Sequence, residues 1–208
     1  MFDLRLFKLT ILSVAIAMGM FVQSKEAHAA EVEVLTVAGG CFWCVESDFE
    51  GVPGVLDVVS GYVSTAENGS FEAVKITFDP LEVSHGALMH MFFRSIDPTD
   101  PSGQFCDRGE IYRTAIFPGD SLQKSAAEFA KEEAETELGQ PIVTSILKAA
   151  SFRVAKDSHQ DYYKGDNLVL TRFGPKRQYN AYKAYRKGCG RDARVKELWG
   201  SKAPFVSS

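Results

Sequence analysis

The stretch Gly39-Gly40-Cys41-Phe42-Trp43-Cys44-Val45-Glu46 lies between an apolar, β-branched run and a short helical pattern. The run occupies residues 32–37, and the helical pattern stops at residues 51–54, whose sequence is Gly-Val-Pro-Gly. This order predicts a strand, a tight turn and a helix. It places Cys41 at the N-terminus of that helix.

A cysteine at a helix N-terminus is placed to ionise. Free backbone N–H groups and the positive end of the helix dipole favour a negative charge there. Such a position lowers a thiol pKa from about 8.5 towards neutrality. We therefore expect Cys41 to be a nucleophilic thiolate. A CxxC pair is also typical of half a zinc site, a structural disulfide or two packed cysteines, and this stretch alone leaves those alternatives open.

The first 29 residues have the pattern of a secretory signal peptide. Arg5 and Lys8 precede an apolar run at residues 9–22, and Ala27-His28-Ala29 offers small residues for cleavage after Ala29. The run is short for a spanning helix. We expect an exported protein, periplasmic or secreted, with no stable membrane insertion after cleavage. Anchoring by an uncleaved signal is the alternative.

Residues 30–208 are long enough for a single domain with its own core, and they contain no repeat or linker. The whole chain has a formal charge of −4. An exported, acidic chain is not expected to bind nucleic acid.

The four cysteines also limit the possible sites. An even number in an oxidising compartment suggests disulfides, with three possible pairings. Zinc would need a second close pair, whereas Cys106 and Cys189 stand alone, so no metal site is expected.

Further elements follow from periodicity and caps. Strands are predicted at residues 56–63, 72–78, 113–117, 142–146 and 152–154, and helices after Ser84, after Asp120 or Ser121, and over residues 176–187. The second of these helices should bury Leu122, Ala126, Phe129 and Ala130. The tyrosines of the third, Tyr179, Tyr182 and Tyr185, are interpreted as packing. Strands and helices without strict alternation predict an α+β fold.

Several segments, in the same order, closely resemble the peptide-methionine sulfoxide reductase A family. The first is Gly-Cys-Phe-Trp at residues 40–43. The others are Glu-Ala-Val at 72–74, Phe-Asp-Pro at 78–80, Asp-Arg-Gly at 107–109, Tyr-Arg at 112–113 and His-Gln-Asp-Tyr at 159–162. The resemblance implies a two-layer sandwich with a mixed β-sheet, a ferredoxin-like core, and the catalytic cysteine at a helix N-terminus.

The family reduces the S-epimer of methionine sulfoxide, free or within proteins, without a cofactor. By resemblance, the Cys41 thiolate attacks the sulfoxide sulfur, methionine leaves and Cys41 becomes a sulfenic acid. A second cysteine then forms a disulfide, which an external thioredoxin-like dithiol reduces. From the resemblance we therefore expect a monomer that acts on oxidised methionine and is reduced by a dithiol protein.

Residue roles also follow from the resemblance. Glu72 matches the acid that protonates the sulfoxide oxygen, Tyr112 a hydroxyl that binds it, and Asp107 a carboxylate that holds the site. Phe42 and Trp43 match the apolar wall that receives the substrate methyl group.

Two features differ from many relatives. The segment before Glu72 is short and lacks a tyrosine, so Tyr62 is the candidate for a second hydroxyl. Many relatives have glycine at the position of Cys44. We favour Cys44 as the resolving cysteine, with Cys189 second and Cys106 third, and a relay from Cys41 through Cys44 to Cys189 is compatible with the sequence.

Two other classes of protein remain as alternatives. A thioredoxin-like disulfide oxidoreductase would also use CxxC, but it needs a longer helix than residues 51–54 allow. A non-catalytic binding domain with two disulfides would have no free thiol.

Overall fold

The strand and helix expected around Cys41 are present near the start of the described chain. The computed structural model describes residues 32–149, 151–172 and 174–206. The expected signal peptide at residues 1–29 lies outside these residues. Within them, no helix has both the length and the apolar composition needed to cross a membrane.

The strands of the described residues fall into three sheets. Their bounds are β1 Glu33–Gly39, β2 Val55–Ser64, β3 Ser70–Phe78, β4 Gly103–Gln104, β5 Asp107–Arg108, β6 Thr114–Ile116, β7 Ser145–Ile146, β8 Ser151–Val154, β9 Leu168–Thr171 and β10 Gly174–Arg177. The main sheet has the order β7-β6-β1-β3-β2-β8. Strands β4 and β5 form one small antiparallel pair, and β9 and β10 form another.

The α-helices are α1 Phe42–Phe49, α2 His85–Phe93, α3 Ser121–Leu138, α4 Gln178–Gly188 and α5 Arg191–Trp199. Short 3₁₀ helices span Glu110–Tyr112, Asp157–His159 and Gly200–Lys202. Two of the predicted caps are confirmed. Ser84 Oγ accepts from the Ala87 N–H at 3.1 Å, and Asp120 Oδ1 accepts from the Gln123 N–H at 2.8 Å. These bonds satisfy N–H groups that have no partner inside the helix.

The centre of the main sheet has the ferredoxin-like order β6-β1-β3-β2, made by two interleaved βαβ units. Every neighbouring pair of strands is antiparallel except β6 and β7. The predicted α+β class, mixed sheet and ferredoxin-like core are therefore confirmed.

The main core lies between one face of the sheet and the helices. Val37 and Ile76 from the sheet, together with Phe49 from α1 and Phe92 from α2, are fully buried in one cluster. A smaller cluster around Phe71 covers part of the opposite face. Because β1 and α1 both pack into the main core, the turn between them has a fixed position.

Two of the local predictions are wrong. On α3, Leu122 and Phe129 are 81% and 62% exposed rather than buried, whereas Ala130 is buried as predicted, together with Ala127 and Ala134. Small residues let α3 approach the layer beneath it closely. Of the strand predicted at residues 142–146, only Ser145–Ile146 forms. The Val143 N–H bonds to the Pro98 carbonyl at 2.8 Å, which takes it away from any sheet partner.

Candidate active site

Cys41 lies at the sharp turn between β1 and α1. Gly40 has φ +80°, and a Cβ on it would meet Gln104 Cβ at 2.5 Å, so glycine is required by both conformation and space. Cys41 is the N-cap residue of α1, and its carbonyl accepts from the Cys44 N–H at 3.1 Å. Its side chain is only 6% exposed. The turn therefore holds a nearly buried thiol at the start of the helix.

Cys41 and Cys44 are both free thiols one helical turn apart, and their sulfur atoms are hydrogen-bonded. Burial raises the pKa of Cys41 well above its usual value, and Cys44 and Glu72 raise it further. The hydrogen bond from Cys41 lowers the pKa of Cys44, with help from the positive charges of Arg191 and Arg186. The expectation that the Cys41 pKa is lowered is wrong, because the desolvation of the buried thiol is the largest effect on its pKa.

Glu72 on β3 reaches back to the first turn of α1. Its Oε2 accepts from the Phe42 N–H at 3.2 Å. Burial raises the Glu72 pKa to about 7, and the charge of Asp107 adds to the rise, although the Phe42 hydrogen bond opposes it. The Glu72 carboxyl is therefore partly protonated at neutral pH. It contacts Phe42, the residue that follows Cys41.

The predicted tyrosines and Asp107 surround Glu72. Tyr62 on β2 is directly opposite Glu72 on β3, so both side chains emerge on the same face of the sheet. Burial raises the pKa of Tyr112, and the charges of Glu72, Asp107 and Cys41 raise it further. Segments distant in sequence thus bring these groups to one place.

Aromatic side chains make a wall beside Cys41. The rings of Trp43 and Tyr162 are stacked with centroids 3.9 Å apart, and His159 lies 5.7 Å from Trp43. Phe42 packs against Tyr62 at 5.6 Å. Phe42 and Trp43 therefore form the expected apolar surface, and the His-Gln-Asp-Tyr segment extends it.

The segment that carries His159 and Tyr162 is held in place from below. Gln160 bridges the backbone of Ser60, accepting from its N–H and donating to its carbonyl, both at 2.9 Å. The Asp161 N–H donates to Glu46 Oε1 at 2.9 Å. Because Ser60 and Glu46 are themselves buried, these bonds fix the position of the segment relative to α1 and β2.

Helix α4 also contributes to the site, although none of its residues was predicted there. Tyr182 is buried in a cluster with Cys41 and Cys44, and Tyr185 packs against this cluster. The Tyr185 hydroxyl donates to Asp107 Oδ2. The three-residue spacing of the tyrosines, close to Cys189, is the only sequence signal for this arrangement, and such a stripe is more often simple packing.

A disulfide joins Cys106 to Cys189. Cys106 is exposed, and the bond lies beside a cleft of about 560 Å³ whose lining includes Trp43, Tyr162 and Tyr185. Cys189 is therefore covalently linked to the segment that carries Asp107.

The described residues contain no cluster of acidic, histidine or cysteine side chains suited to a metal. What they do combine is a buried dithiol, an adjacent carboxyl with a raised pKa and an aromatic wall. This combination, on a ferredoxin-like core, defines a thiol-dependent oxidoreductase.

Comparison with known proteins defines the family. Residues 33–202 match the sequence model of peptide methionine sulfoxide reductase, so the chain belongs to that family. The chain is 46% identical over 187 residues to peptide methionine sulfoxide reductase MsrA 2 of Rhizobium meliloti, covering 85% of this chain and 88% of the relative. It is 42% identical over 185 residues to the protein of the same name from Caulobacter vibrioides, covering 83% and 88%.

Solved structures agree on the fold. Methionine sulfoxide reductase A of Corynebacterium diphtheriae has a TM-score of 0.59 at 26% identity, covering 66% of this chain and 76% of its own. Reduced Mxr1 of Saccharomyces cerevisiae has a TM-score of 0.60 at 24% identity, covering 65% and 86%. Mxr1 in complex with Trx2 has a TM-score of 0.51 at 23% identity, covering 63% and 86%.

Proposed function

We propose that the protein reduces the S-epimer of methionine sulfoxide, free or within proteins, to methionine. One observation carries the proposal: the Cys41 thiol lies beside the aromatic wall and next to Glu72, whose pKa is raised to about 7. A nucleophilic sulfur, a proton donor and an apolar surface are what sulfoxide reduction requires. Membership of the family supports the same conclusion.

In the proposed first step, the Cys41 thiolate attacks the sulfoxide sulfur. Glu72 gives its proton to the sulfoxide oxygen as negative charge develops there. This attack forms a bond between the two sulfur atoms. The oxygen is then transferred to the Cys41 sulfur as its bond to the substrate sulfur breaks, and the sulfur–sulfur bond breaks with its electron pair going to the substrate, which leaves as the thioether methionine. Cys41 is left as a sulfenic acid. The sulfoxide is reduced by two electrons, and Cys41 is oxidised by two.

Three further groups are proposed to position the sulfoxide. Tyr112 and Tyr62 flank Glu72 and can donate hydrogen bonds to the oxygen, while Asp107 fixes the surrounding hydroxyls. Phe42 and Trp43 receive the methyl group, because sulfur and methyl groups pack favourably on aromatic rings.

We propose Cys44 as the resolving cysteine. Its sulfur is already hydrogen-bonded to that of Cys41, whereas Cys189 is held by Cys106. The Cys44 thiol attacks the sulfenic sulfur, water leaves, and a disulfide between Cys41 and Cys44 forms. An external thioredoxin-like dithiol then reduces it, a step supported by the Mxr1 structure in complex with Trx2. A later exchange with Cys189 would first require reduction of the Cys106–Cys189 bond.

The test is turnover of the separate S and R epimers of N-acetylmethionine sulfoxide, with thioredoxin as reductant. We expect consumption of the S-epimer alone, no activity in Cys41→Ser, and slow turnover in Glu72→Gln. If neither epimer reacts while the protein reduces insulin disulfides, the function is instead that of a general disulfide oxidoreductase.

Single-turnover measurements separate the resolving candidates. Without reductant, the wild type should release one methionine and lose two free thiols. Cys44→Ser should still release one methionine but hold a Cys41 sulfenic acid that dimedone traps, whereas Cys189→Ser should release one methionine and lose two free thiols, as the wild type does. Normal thioredoxin-driven turnover by Cys44→Ser, with none by Cys189→Ser, would assign resolution to Cys189.

We also propose that the protein is exported, with residues 1–29 removed, and acts as a monomer in the periplasm or outside the cell. The leader pattern supports export, and the Cys106–Cys189 disulfide is typical of an oxidising compartment. The mass of the protein recovered from the periplasm tests this proposal, since cleavage after Ala29 gives a unique value. A full-length mass would indicate the uncleaved anchor.

A further inference from the structure

The hydroxyl of Tyr185 faces two groups that can carry a negative charge. It donates a hydrogen bond to Asp107 Oδ2, and it lies within hydrogen-bonding reach of the Cys41 sulfur. Its ring packs edge-on against Trp43, with centroids 6.4 Å apart. A phenol has one proton to donate, so it cannot serve Asp107 and an ionised Cys41 fully at the same time.

We propose that Tyr185 is the hydrogen-bond donor to the Cys41 thiolate, and that its O–H turns from Asp107 to the Cys41 sulfur when that sulfur ionises. Tyr185 is then a catalytic residue, because it contacts the attacking atom. No covalent bond changes in this step. The tyrosine keeps its proton throughout, and only its hydrogen-bond partner changes.

The first free N–H group at the N-terminus of α1 is not available to the Cys41 thiolate. The first free N–H of α1, that of Phe42, is already given to Glu72. The titratable groups next to Cys41 are Cys44 from α1, Glu72 from β3, Tyr112 from its 3₁₀ helix, Tyr162 from the wall, and Tyr182 and Tyr185 from α4. Asp107 of β5 is bonded to the Tyr185 hydroxyl. Of the neighbours that shift the Cys41 pKa, Cys44 and Glu72 raise it and the Tyr185 hydrogen bond lowers it.

Tyr185 is suited to donate rather than to act as a base. Burial and the neighbouring charges of Cys41 and Cys44 raise its pKa far above the usual value, so the hydroxyl stays protonated. The Cys106–Cys189 disulfide helps to fix the position of the Tyr185 hydroxyl. Cys106 adjoins Asp107 in sequence, and the Cys189 N–H donates to the Tyr185 carbonyl at 2.9 Å.

The inference rests on the proposed function in one respect, namely that the Cys41 thiolate is the nucleophile that attacks the substrate. Its test needs no sulfoxide. The rate of Cys41 alkylation by iodoacetamide is measured against pH in Cys44→Ser protein, whose Cys106–Cys189 disulfide is intact. In this background Cys41 is the single free thiol. Adding Tyr185→Phe should raise the apparent Cys41 pKa by about one unit, roughly a tenfold loss of thiolate at neutral pH. Tyr179→Phe on the same helix should leave the profile unchanged.

The shape of the profile separates donation from packing. If Tyr185 only donates to the thiolate, the limiting alkylation rate at high pH is unchanged in Tyr185→Phe. Should that variant fail to fold, replacement of Tyr185 by 3-fluorotyrosine, a stronger donor, should lower the Cys41 pKa. If the alkylation rate depends on pH in the same way with tyrosine at position 185 as with either replacement, the proposal is overturned. A fall in the alkylation rate by the same factor at every pH would also overturn it. Either result would leave the proposed sulfoxide reduction standing.

Discussion

Glu72 and Cys41 must act in protonation states that are rarely present together. The acid needs its proton, but its pKa is about 7. The nucleophile needs to lose its proton, but burial raises the Cys41 pKa well above the usual value. With the nucleophile pKa above that of the acid, the active form is a minor species at every pH.

This order of pKa values predicts an unusual pH profile for kcat/KM. The wild-type value should rise with pH up to about 7 and then level off, because each gain of thiolate is cancelled by loss of the Glu72 proton. Glu72→Gln has no acid to lose, so its value should keep rising beyond pH 8. We expect it to be about 100-fold below the wild type at pH 6, with the gap narrowing above pH 7.

The measurement is kcat/KM for free methionine sulfoxide between pH 5.5 and 9. Glu46→Gln is the matched control, since the Glu46 pKa is also raised to about 7 while the side chain bonds to Ser60 and the Asp161 N–H rather than to the first turn of α1. It should level off like the wild type. A plateau near pH 7 that persists in Glu72→Gln would assign that ionisation to another group.

Contacts that are distant in sequence hold α4 in place. Its Arg186 pairs with the buried Asp48 of α1 at 2.6 Å, and its Tyr185 bonds to Asp107 of β5. The following α5 inserts Arg191, which is 2% exposed and donates to the Ser95 carbonyl at 2.9 Å. The disulfide after α4 fixes the same surface covalently.

Removal of that disulfide should therefore affect both stability and the site. The bond closes a loop with a sequence separation of 83, and its loss in a Cys106→Ser/Cys189→Ser protein should cost roughly 3–4 kcal/mol of unfolding free energy. Because Tyr185 and Asp107 flank the two cysteines, we also expect a several-fold fall in kcat with little change in fold. Guanidinium unfolding and steady-state assays at one pH measure the two effects.

Cys44→Ser is the control for stability, because it removes a thiol and leaves the disulfide intact. A double-serine protein as stable as Cys44→Ser would show that the ion pairs and packing of α4 suffice to hold it. An unchanged kcat in the double-serine protein would show that the disulfide does not influence the active site.

The elements also show what sequence patterns can and cannot predict. Local signals located β1 to β3 and the caps at Ser84 and Asp120, because alternation and capping act over a few residues. The inward face of α3 was predicted correctly for Ala130 but not for Phe129, since the exposure of Phe129 depends on how closely the helix approaches its neighbours. Tyr185 reaches the site because α4 is held by contacts with Asp48 and Asp107 and by a disulfide. None of these contacts produces a periodic pattern in the sequence.

Across the whole molecule, the fold gathers site residues that are far apart in the chain. Cys41, Glu72 and Tyr112 come from three segments of the ferredoxin-like core, and the family motifs were sufficient to nominate them. The motifs did not predict the pKa values of these residues. The helix N-terminus suggested a low pKa for Cys41, but burial is a property of the assembled structure and reverses the direction.

Glu46 shows how burial couples the stability of the whole protein to pH. Its carboxylate is 1% exposed and links three segments, accepting from Ser60 Oγ at 3.1 Å and from the Asp161 N–H at 2.9 Å. Burial raises its pKa to about 7 despite these bonds. Between the ordinary carboxyl pKa and about 7, the folded state therefore binds more protons than the unfolded state.

The free energy of unfolding should consequently fall as pH rises through that window and level off above it. Glu46→Gln keeps the shape of the side chain without the charge, so it should match the wild type near pH 5. At pH 8 it should be the more stable protein by about 1–3 kcal/mol. Urea unfolding at the two pH values measures the difference, with Glu128→Gln on the exposed face of α3 as control. Equal differences at both pH values would show that Glu46 stays ionised in the folded protein, with its two hydrogen bonds outweighing its burial.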